Sequence, residues 1–303
     1  MNATLTPAGT PADALSAEVA LTGASHSMGD ILVAAGRLSP DDLERVLESQ
    51  RRDKVPFGEA ALALRVLTRH DIDFALGKQF NYAYLVEGDS SLSPKLVAAF
   101  KPFSRIGENL RAVRSQLMMR WFNGDPLRKV LAITSPSSGD GRSFIAANLA
   151  IVFSQQGERT LLIDANLRAK PEAGLHALFK LDRGMGLSNV LAERAGLEVA
   201  QAVPGLPGLA VLTAGAVPPN PQELLGRSTF IDLLVRATTR FDVILIDTPA
   251  GNDYADAEII ASRVRAALMV ARMNRTLVPQ TTALARRMQD SGVAIVGSVL
   301  NDA

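Results

Sequence analysis

Six short apolar runs between Lys129 and Asn301 constrain the fold of this chain more than any other feature. Each run is nearly continuous and rich in β-branched residues, which is typical of strands covered on both faces. In order they read KVLAIT, TLLIDA, LAVLTA, DVILID, ALMVAR and IVGSVLN. Helical patterns lie between them, at Arg142 to Gln156, from Pro221 past Phe230, and at Pro279 to Ser291. This alternation predicts an α/β fold built on a doubly wound, mostly parallel sheet.

The region before that sheet, residues 28–86, is helical and repeats itself. GDILVAAGRLSPDDLERVLESQ aligns with GEAALALRVLTRHDIDFALGKQ at a constant offset. Each copy has a short apolar helix and then an N-cap residue, Ser39 or Thr68, followed by acidic residues where the helix dipole favours negative charge. Two such helix pairs can bury their apolar faces against each other. We therefore predict a small all-helical domain with an internal repeat at 28–86.

The composition of the remaining segments predicts the domain boundaries. Residues 1–27 are rich in Ala, Thr, Ser and Pro and lack the basic start and compact apolar block of a signal peptide, which predicts a flexible N-terminal tail. Residues 87–104 contain the run Gly88-Asp89-Ser90-Ser91 and two prolines, which predicts a linker. The sheet-forming region is then one domain over 105–303.

Charge balance and residue usage exclude several functional classes. Lys and Arg number 32 against 31 Asp and Glu, so no global field favours nucleic acid as a partner. The chain has no cysteine and three scattered histidines, which disfavours disulfides and a metal held mainly by imidazole. No apolar run approaches the roughly 20 residues that a membrane span needs. These observations predict a cytoplasmic protein without a direct membrane span.

The stretch SPSSGDGRSF joins the first predicted strand to the next helix and resembles a phosphate-binding loop. Such a loop binds anionic oxygens through backbone N–H groups of a Gly-rich turn and of a helix N-terminus. Pro136 and Arg142 depart from the pattern G-x-x-x-x-G-K-[ST]. Taken alone, the motif is as compatible with a structural turn as with a phosphate site. If it is a phosphate site, the residues that would contact the ligand are Ser138, Gly139, Asp140, Gly141, Arg142, Ser143 and Phe144.

Two aspartates strengthen the prediction of a phosphate site and of a P-loop NTPase-like fold. Asp164 ends the strand TLLIDA, which we expect beside the first strand, and Asp247 ends DVILID. Ligands of doubly wound sheets bind at the carboxyl edge of the strands. Ser143 and Asp247 are therefore predicted to hold Mg²⁺, with Asp164 as a further metal-linked carboxylate. Either aspartate alone is more readily a strand-end cap, but the three features together favour a nucleotide site.

Five elements between residues 108 and 301 carry a resemblance to a known family. They are GDGRS, LLIDANLR, ILIDTP, the specific segment AGAVPPNPQELL, and the motif Glu108-x-x-Arg111-x-x-Arg114. Together they resemble the bacterial tyrosine kinases (BY-kinases) that govern capsule and exopolysaccharide chain length, and most closely the EpsG-type chain-length-determinant kinases. The resemblance implies ATP and Mg²⁺ as cofactors, phosphoryl transfer to tyrosine hydroxyls, and a homo-oligomer assembled through Glu108, Arg111 and Arg114. It also implies a membrane chain-length determinant, a polysaccharide co-polymerase, that recruits the chain to the inner face of the plasma membrane.

The same resemblance implies roles for individual residues. Asp164 would be the general base or a metal-linked carboxylate, and Arg142 would hold phosphate. Arg168 would contact phosphate or position Asp164. Asn301 matches an asparagine that reads adenine in related ATPases, although a turn-forming residue after a strand is an equal alternative.

Three departures from the family pattern bear on catalysis. Arg142 replaces the loop lysine and keeps the charge on a bulkier group. Asn166 replaces the second aspartate of the catalytic D-x-D-x-R and cannot carry its negative charge. The C-terminal tyrosine cluster is absent, which leaves Tyr82, Tyr84 and Tyr254. A nucleotide-binding adaptor with little phosphotransfer is therefore the main alternative to a kinase.

The chain resembles two further families in part. MinD/ParA-like ATPases share the strand-end aspartates but use an extra lysine early in the loop, where this chain has Ser137. The N-terminal repeat resembles the N-terminal module of type II secretion and pilus ATPases, some of which bind cyclic di-GMP. Ser27-Met28-Gly29 and Pro56-Phe57-Gly58 stand where that module has R-L-G. The missing arginines favour protein docking over cyclic di-GMP binding.

Overall fold

The computed structural model describes residues 27–79, 85, 90–126, 128–170 and 172–302. The chain divides into two compact units, Met1–Tyr82 and Ala83–Ala303. The predicted tail at 1–27, apart from Ser27, lies outside the described residues, as do Tyr82 and Tyr84.

The first unit consists of two helix pairs. Their bounds are α1 Met28–Ala34, α2 Pro40–Asp53, α3 Phe57–Ala63 and α4 Arg69–Gln79. The starts of α1 and α3, and those of α2 and α4, are each 29 residues apart, so the repeat in the sequence is a repeat of helices. Ser27 and Ser39 cap α1 and α2, because each hydroxyl accepts a hydrogen bond from the backbone N–H three residues later. The buried core contains Leu32, Leu38, Val46, Ala60, Ala61, Leu67, Ile72 and Ala75.

The described part of the second unit contains a seven-stranded sheet. The strands are β1 Val130–Thr134, β2 Thr160–Asp164, β3 Gln201–Ala202, β4 Leu209–Leu212, β5 Val243–Asp247, β6 Ala266–Arg272 and β7 Ala294–Asn301. Their order is β3-β4-β2-β5-β1-β6-β7, and every pairing is parallel except that of the short β3 with β4. The predicted α/β fold with a mostly parallel sheet is confirmed.

Helices surround this sheet. They are α5 Val97–Phe100, α6 Arg105–Arg120, α7 Arg142–Ser154, α8 Leu175–Phe179, α9 Leu187–Leu191, α10 Pro221–Gly226, α11 Ser228–Arg240, α12 Asp256–Val264 and α13 Val278–Asp290. The helix α7 is apolar and buried along most of its length, as a helix packed directly on the sheet should be. Within the described residues, no helix is long and apolar enough to cross a membrane.

The strand order corrects one prediction about the site. We expected the strand that ends in Asp164 to lie beside the first strand, but β5 lies between β2 and β1. As a result Asp164 is the direct register partner of Asp247. The two carboxylates therefore lie side by side on adjacent strands, whose backbones are about 5 Å apart.

The predicted linker at 87–104 is wrong for its described part, 90–104. Leu92, Leu96, Ala98 and Ala99 are buried in the same core as the sheet. Asn148 in α7 fixes this segment: its Oδ1 accepts from the N–H of Ala98 at 2.9 Å. Two prolines and a Gly-Ser run resembled a linker because the apolar residues among them are too few for a recognisable period.

Candidate functional site

The loop between β1 and α7 has a backbone that demands glycine at two positions. Gly139 and Gly141 have φ angles of 81° and 97°, which disfavour any residue with a Cβ. A Cβ at Gly141 would also lie 2.1 Å from the Asn301 amide nitrogen. Gly141 is the N-cap of α7, so the loop leads directly into the N-terminus of a buried helix. That is the arrangement in which backbone N–H groups and the helix dipole bind an anion.

Asp140 holds the loop from inside. Its carboxylate is fully buried and accepts hydrogen bonds from the N–H of Ser137 and the hydroxyl of Thr276, each at 2.8 Å. The first bond lies within the loop, and the second connects the loop to the turn after β6. Asp140 was predicted to contact phosphate, and the structure leaves only its backbone for that role, because its side chain is bonded to protein.

The guanidinium of Arg142 is also bonded to protein. Nε donates to the carbonyl of Thr248 at 2.9 Å, and Nη1 donates to the hydroxyl of Ser135 at 2.5 Å and the carbonyl of Ser137 at 2.9 Å. In the part of the chain that the structure describes, Nη2 makes no hydrogen bond. Arg142 therefore stabilises the loop through Nε and Nη1 and leaves Nη2 available to bind an oxygen of a ligand. A lysine has a single nitrogen and could not divide these two tasks between separate groups.

Ser143 and Asp247 meet below the loop. The Ser143 hydroxyl donates to Oδ2 of Asp247 at 2.5 Å. The other oxygen, Oδ1, is buried and has no hydrogen-bond partner among the described residues. A buried carboxylate oxygen without a donor is costly unless a cation or another donor reaches it.

Asp164 is as deeply buried as Asp247. Its two oxygens accept from the backbone N–H groups of Leu175 at 2.9 Å and Asn166 at 3.2 Å. Burial raises the pKa of Asp164 to about 6, although these N–H groups and the positive charge of Arg183 lower it. Burial, and then repulsion from Asp164, raise the pKa of Asp247 to about 7. The pair thus forms a pocket of negative charge that is only partly balanced by the protein.

Arg168 was predicted to contact phosphate or to position Asp164. Its Nε donates to Asp256 at 2.7 Å, and its guanidinium stacks over the Tyr254 ring at 4.1 Å. Asp256 is fully buried at the start of α12, and a buried carboxylate depends on its cation more than an exposed one does. Among the described residues the hydrogen bonds of Arg168 go to Asp256 and none goes to Asp164. Asn166 touches Asp164 through its backbone N–H.

The remaining predicted contacts lie around the loop. The Asn301 amide donates to the backbone carbonyl of Asp140 at 3.2 Å, so the end of β7 supports the loop. Ser138 is exposed at the tip of the loop, and Phe144, partly buried in α7, packs against the core.

Sequence reasoning missed two arginines at and just beyond the end of β6. Arg272, the last residue of β6, donates to the carbonyl of Gly139 at 3.3 Å, and Arg275 donates to that of Ser138 at 3.2 Å. A signal was present, because the segment RMNRT begins at the carboxyl end of a strand, which must lie at the same edge of the sheet as the loop. Near Asp164, His176 was also missed: a Cβ at Gly174 would lie 2.8 Å from Asp164 Oδ2 and 3.3 Å from His176 Nδ1.

The motif predicted to assemble subunits lies on α6. Arg111 pairs with Glu108 and donates to the carbonyl of Pro102 at 2.6 Å, while Arg114 donates to the carbonyl of Val152 at 2.9 Å. Both arginines thus hold α6 against its own chain. The Glu108 side chain is 66% exposed, which makes it the member of the motif most accessible to another subunit.

This chain is similar to a known family and to several known proteins. A family model described as cellulose biosynthesis protein BcsQ matches residues 128–289. The chain is 33% identical over 212 residues to tyrosine-protein kinase YwqD of Bacillus subtilis, which covers 70% of this chain and 87% of that protein. It is 32% identical over 205 residues to tyrosine-protein kinase etk of Escherichia coli, where the match covers 68% of this chain and 28% of the longer protein.

Solved structures show the same relationship. The kinase domain of Escherichia coli tyrosine kinase ETK superimposes with a TM-score of 0.64 and 32% identity, over 69% of this chain and 80% of that domain. The chimerical protein CapA2B2 superimposes with a TM-score of 0.63 and 29% identity, over 75% of this chain and 96% of that one. Both matches cover most of the solved domain.

Proposed function

Because this chain belongs to the bacterial tyrosine kinase family, we propose that it transfers the γ-phosphoryl group of ATP to protein tyrosine hydroxyls and so regulates exopolysaccharide chain length and export. The observation that carries the proposal is the buried pair Asp164 and Asp247, held in register beneath a glycine-rich loop with Ser143 beside them. A structural turn has no need of two facing carboxylates that repel each other.

The residues present fit Mg²⁺ and a nucleotide. Oδ1 of Asp247 is a buried oxygen with no donor among the described residues, and Ser143 supplies a second oxygen beside it. Hard oxygen ligands of this kind are those that Mg²⁺ prefers. When bound, Mg²⁺ would neutralise charge on the β- and γ-phosphate oxygens. The loop backbone and the free Nη2 of Arg142 would hold those phosphates.

The chain's own residues supply the proton transfer. A carboxylate whose pKa is raised to about 6, like Asp164, is a better base near neutral pH than an ordinary aspartate. In the proposed step Asp164 takes the phenolic proton as the tyrosine oxygen forms its bond to the γ-phosphorus. The bond from that phosphorus to the β–γ bridging oxygen breaks, and ADP leaves.

The family resemblance also supports a cellular setting. The chain would act in the cytoplasm as a homo-oligomer, with the exposed Glu108 reaching a neighbouring subunit. A membrane chain-length determinant would recruit it to the inner face of the plasma membrane. The helical unit at 28–79 would dock a protein partner, since its repeat lacks the arginines expected for cyclic di-GMP.

The test uses the purified full chain with radiolabelled ATP and Mg²⁺, beside the Asp164→Ala variant. Label on tyrosine in the parent, lost in the variant while ATP binding persists, supports the kinase. Absence of label from a parent that binds ATP would overturn it.

A second candidate function, a nucleotide-binding adaptor, is favoured by Asn166, which cannot carry the charge of the family's second aspartate. An adaptor binds ATP and changes its oligomer size without labelling tyrosine, which light scattering of the same samples measures. Asn166→Asp separates the two further, because turnover should rise if this position limits the chemistry.

A further inference from the structure

The segment Val217-Pro218-Pro219-Asn220 has no part in the nucleotide site, and it forms one wall of a separate cavity. The cavity has a volume of about 450 Å³ and lies between this segment and α9. Polar and apolar groups alternate around it, with the side chains of Ser188, Asn189, Arg194, Pro218, Pro219 and Arg227 among its lining. We refer to it as the PPNP pocket.

The charge of the PPNP pocket is positive. Arg194 and Arg227 line it, and no aspartate or glutamate is among its lining residues in the described chain. Neither guanidinium makes a hydrogen bond or ion pair with any residue that the structure describes. Two unpaired guanidinium groups on one cavity favour an acidic ligand, since charge-assisted bonds to carboxylates are stronger than neutral ones.

Ser188 and Asn189, which line the pocket, are held by neighbouring chain segments. The N–H of Ser188 donates to the carbonyl of Ala214 at 3.0 Å, and the N–H of Gly186 donates to Oδ1 of Asn189 at 3.1 Å. A Cβ at Gly186 would lie 2.2 Å from the carbonyl oxygen of Thr213, so these two segments approach as closely as only glycine allows. The Ser188 hydroxyl is buried and has no partner among the described residues. Lining residues held in this way bind a ligand without first having to become ordered.

The pocket lies at the same edge of the sheet as the proposed catalytic aspartates. The segment that forms it follows β4, which is paired in parallel with β2, and β2 ends in Asp164. The helix α10 then packs against α12, the helix whose first residue, Asp256, pairs with Arg168. A polypeptide held in the pocket can therefore extend along the carboxyl edge towards Asp164.

We propose that the PPNP pocket docks the phosphoacceptor, an acidic tyrosine-containing segment of a partner protein. Carboxylates of that segment pair with Arg194 and Arg227, and its apolar side chains pack on Pro218 and Pro219. The Nδ2 group of Asn189, whose Oδ1 accepts from Gly186, and the amide of Asn220 line the pocket and would bond its backbone. The inference rests on the proposed kinase function and assigns a substrate class to it.

The test measures docking and chemistry separately. The probe is a fluorescent random copolymer of glutamate and tyrosine, and the variant is the double substitution Arg194→Glu/Arg227→Glu in the full chain. Anisotropy should show at least roughly tenfold weaker binding of the copolymer, as loss of two charge-assisted contacts predicts. The KM for the copolymer should rise, while the affinity for ATP stays unchanged. The exposed Arg286→Glu in α13 is the matched control and should bind the copolymer like the parent.

Three results overturn the docking proposal: unchanged copolymer binding in the double variant, equal binding of a lysine–tyrosine copolymer, or no copolymer binding by the parent. The milder Arg194→Gln/Arg227→Gln variant covers a failure of the charge reversal to fold, and its binding loss should be smaller and of the same sign. Pocket-dependent binding without phosphotransfer would refute the kinase and leave the docking site. Phosphotransfer to the copolymer that is unchanged in the double variant would support the kinase and refute the docking site.

Discussion

In the described part of the helical unit, the ion pairs all lie near solvent, whereas the sheet-containing unit has similar exposed pairs and also charged groups buried in its interior. Ser39 and Asp42 are typical of the first pattern. Ser143 with Asp247 and Arg168 with Asp256 are typical of the second. Local exposed pairs each contribute little, while buried charges are costly unless a partner balances them. The difference indicates that the buried, incompletely balanced charges of the second unit form a site for a charged ligand, and that the described part of the first unit has no comparable site.

The strongest test of this contrast is to remove the proposed base. Asp164→Asn keeps the size of the side chain, but its single amide oxygen can accept from only one of the two backbone N–H groups that Asp164 binds, and it cannot take a proton. Phosphotransfer should fall by about a hundredfold or more, the usual contribution of a general base. Steady-state transfer to tyrosine measures this, with ATP binding as the control. A change of less than about tenfold would show that Asp164 is not the base.

The unbalanced aspartates also predict an unusual pH dependence. Because their folded-state pKa values are raised, the stability they contribute is fully present below about pH 4 and is lost as pH rises through about 6 to 7. The raised pKa of Asp164 alone corresponds to a change of about 3 kcal/mol in the free energy of unfolding across this pH range. In chelator without nucleotide, unfolding between pH 5 and 8 is followed by fluorescence of the single tryptophan, Trp121, which lies in the second unit.

The matched control for that pH profile is the double variant Asp164→Asn/Asp247→Asn, whose profile should be flatter between pH 5 and 8. Mg²⁺ with ATP should flatten the profile of the parent. A parent that gains stability from pH 5 to 8 in chelator would contradict the raised pKa values.

The ion pair between Arg168 and Asp256 gives a third, smaller effect. Arg168→Ala leaves a fully buried carboxylate without its cation, and we expect a loss of about 2 kcal/mol in the free energy of unfolding, discounted because Arg168 itself is 28% exposed. Urea unfolding followed by Trp121 fluorescence measures it. Adding Asp256→Asn to Arg168→Ala should restore most of the lost stability. A double variant as unstable as Arg168→Ala would show that the loss does not come from the unpaired Asp256.

The smallest effect belongs to the helical unit. Ser39→Ala removes the N-cap bond to Asp42 and should lower the stability of that unit by about 1 kcal/mol. Thermal unfolding followed by circular dichroism measures the change, while Ser39→Asp, another good cap, is the control. Binding of ATP should not change. A loss of ATP affinity in Ser39→Ala would mean that the units are energetically coupled, which the contrast between them does not predict.

Much of the site could be predicted because its functional residues lie at the ends of strands and helices that have a clear hydrophobic periodicity. The strand-end positions of Asp164 and Asp247 and the helix start after Gly141 follow from local patterns. The buried segment at 90–104 and the short antiparallel β3 could not be predicted, because few residues in each carry a period. In the sequence, the residues of the PPNP pocket could be recognised only as part of a family-specific segment to which no role was assigned.

The sequence by itself determined the alternation of strands and helices, the repeat of the first unit, and the types of residue at the carboxyl edge of the sheet. These depend on periodicity and capping, which act over a few residues. Only the tertiary structure decided that β5 lies between β2 and β1, so that Asp164 faces Asp247, and that Arg168 turns to Asp256. Strand order and burial join residues that are 83 to 88 positions apart, and no local pattern encodes which of the available partners a buried charge will take.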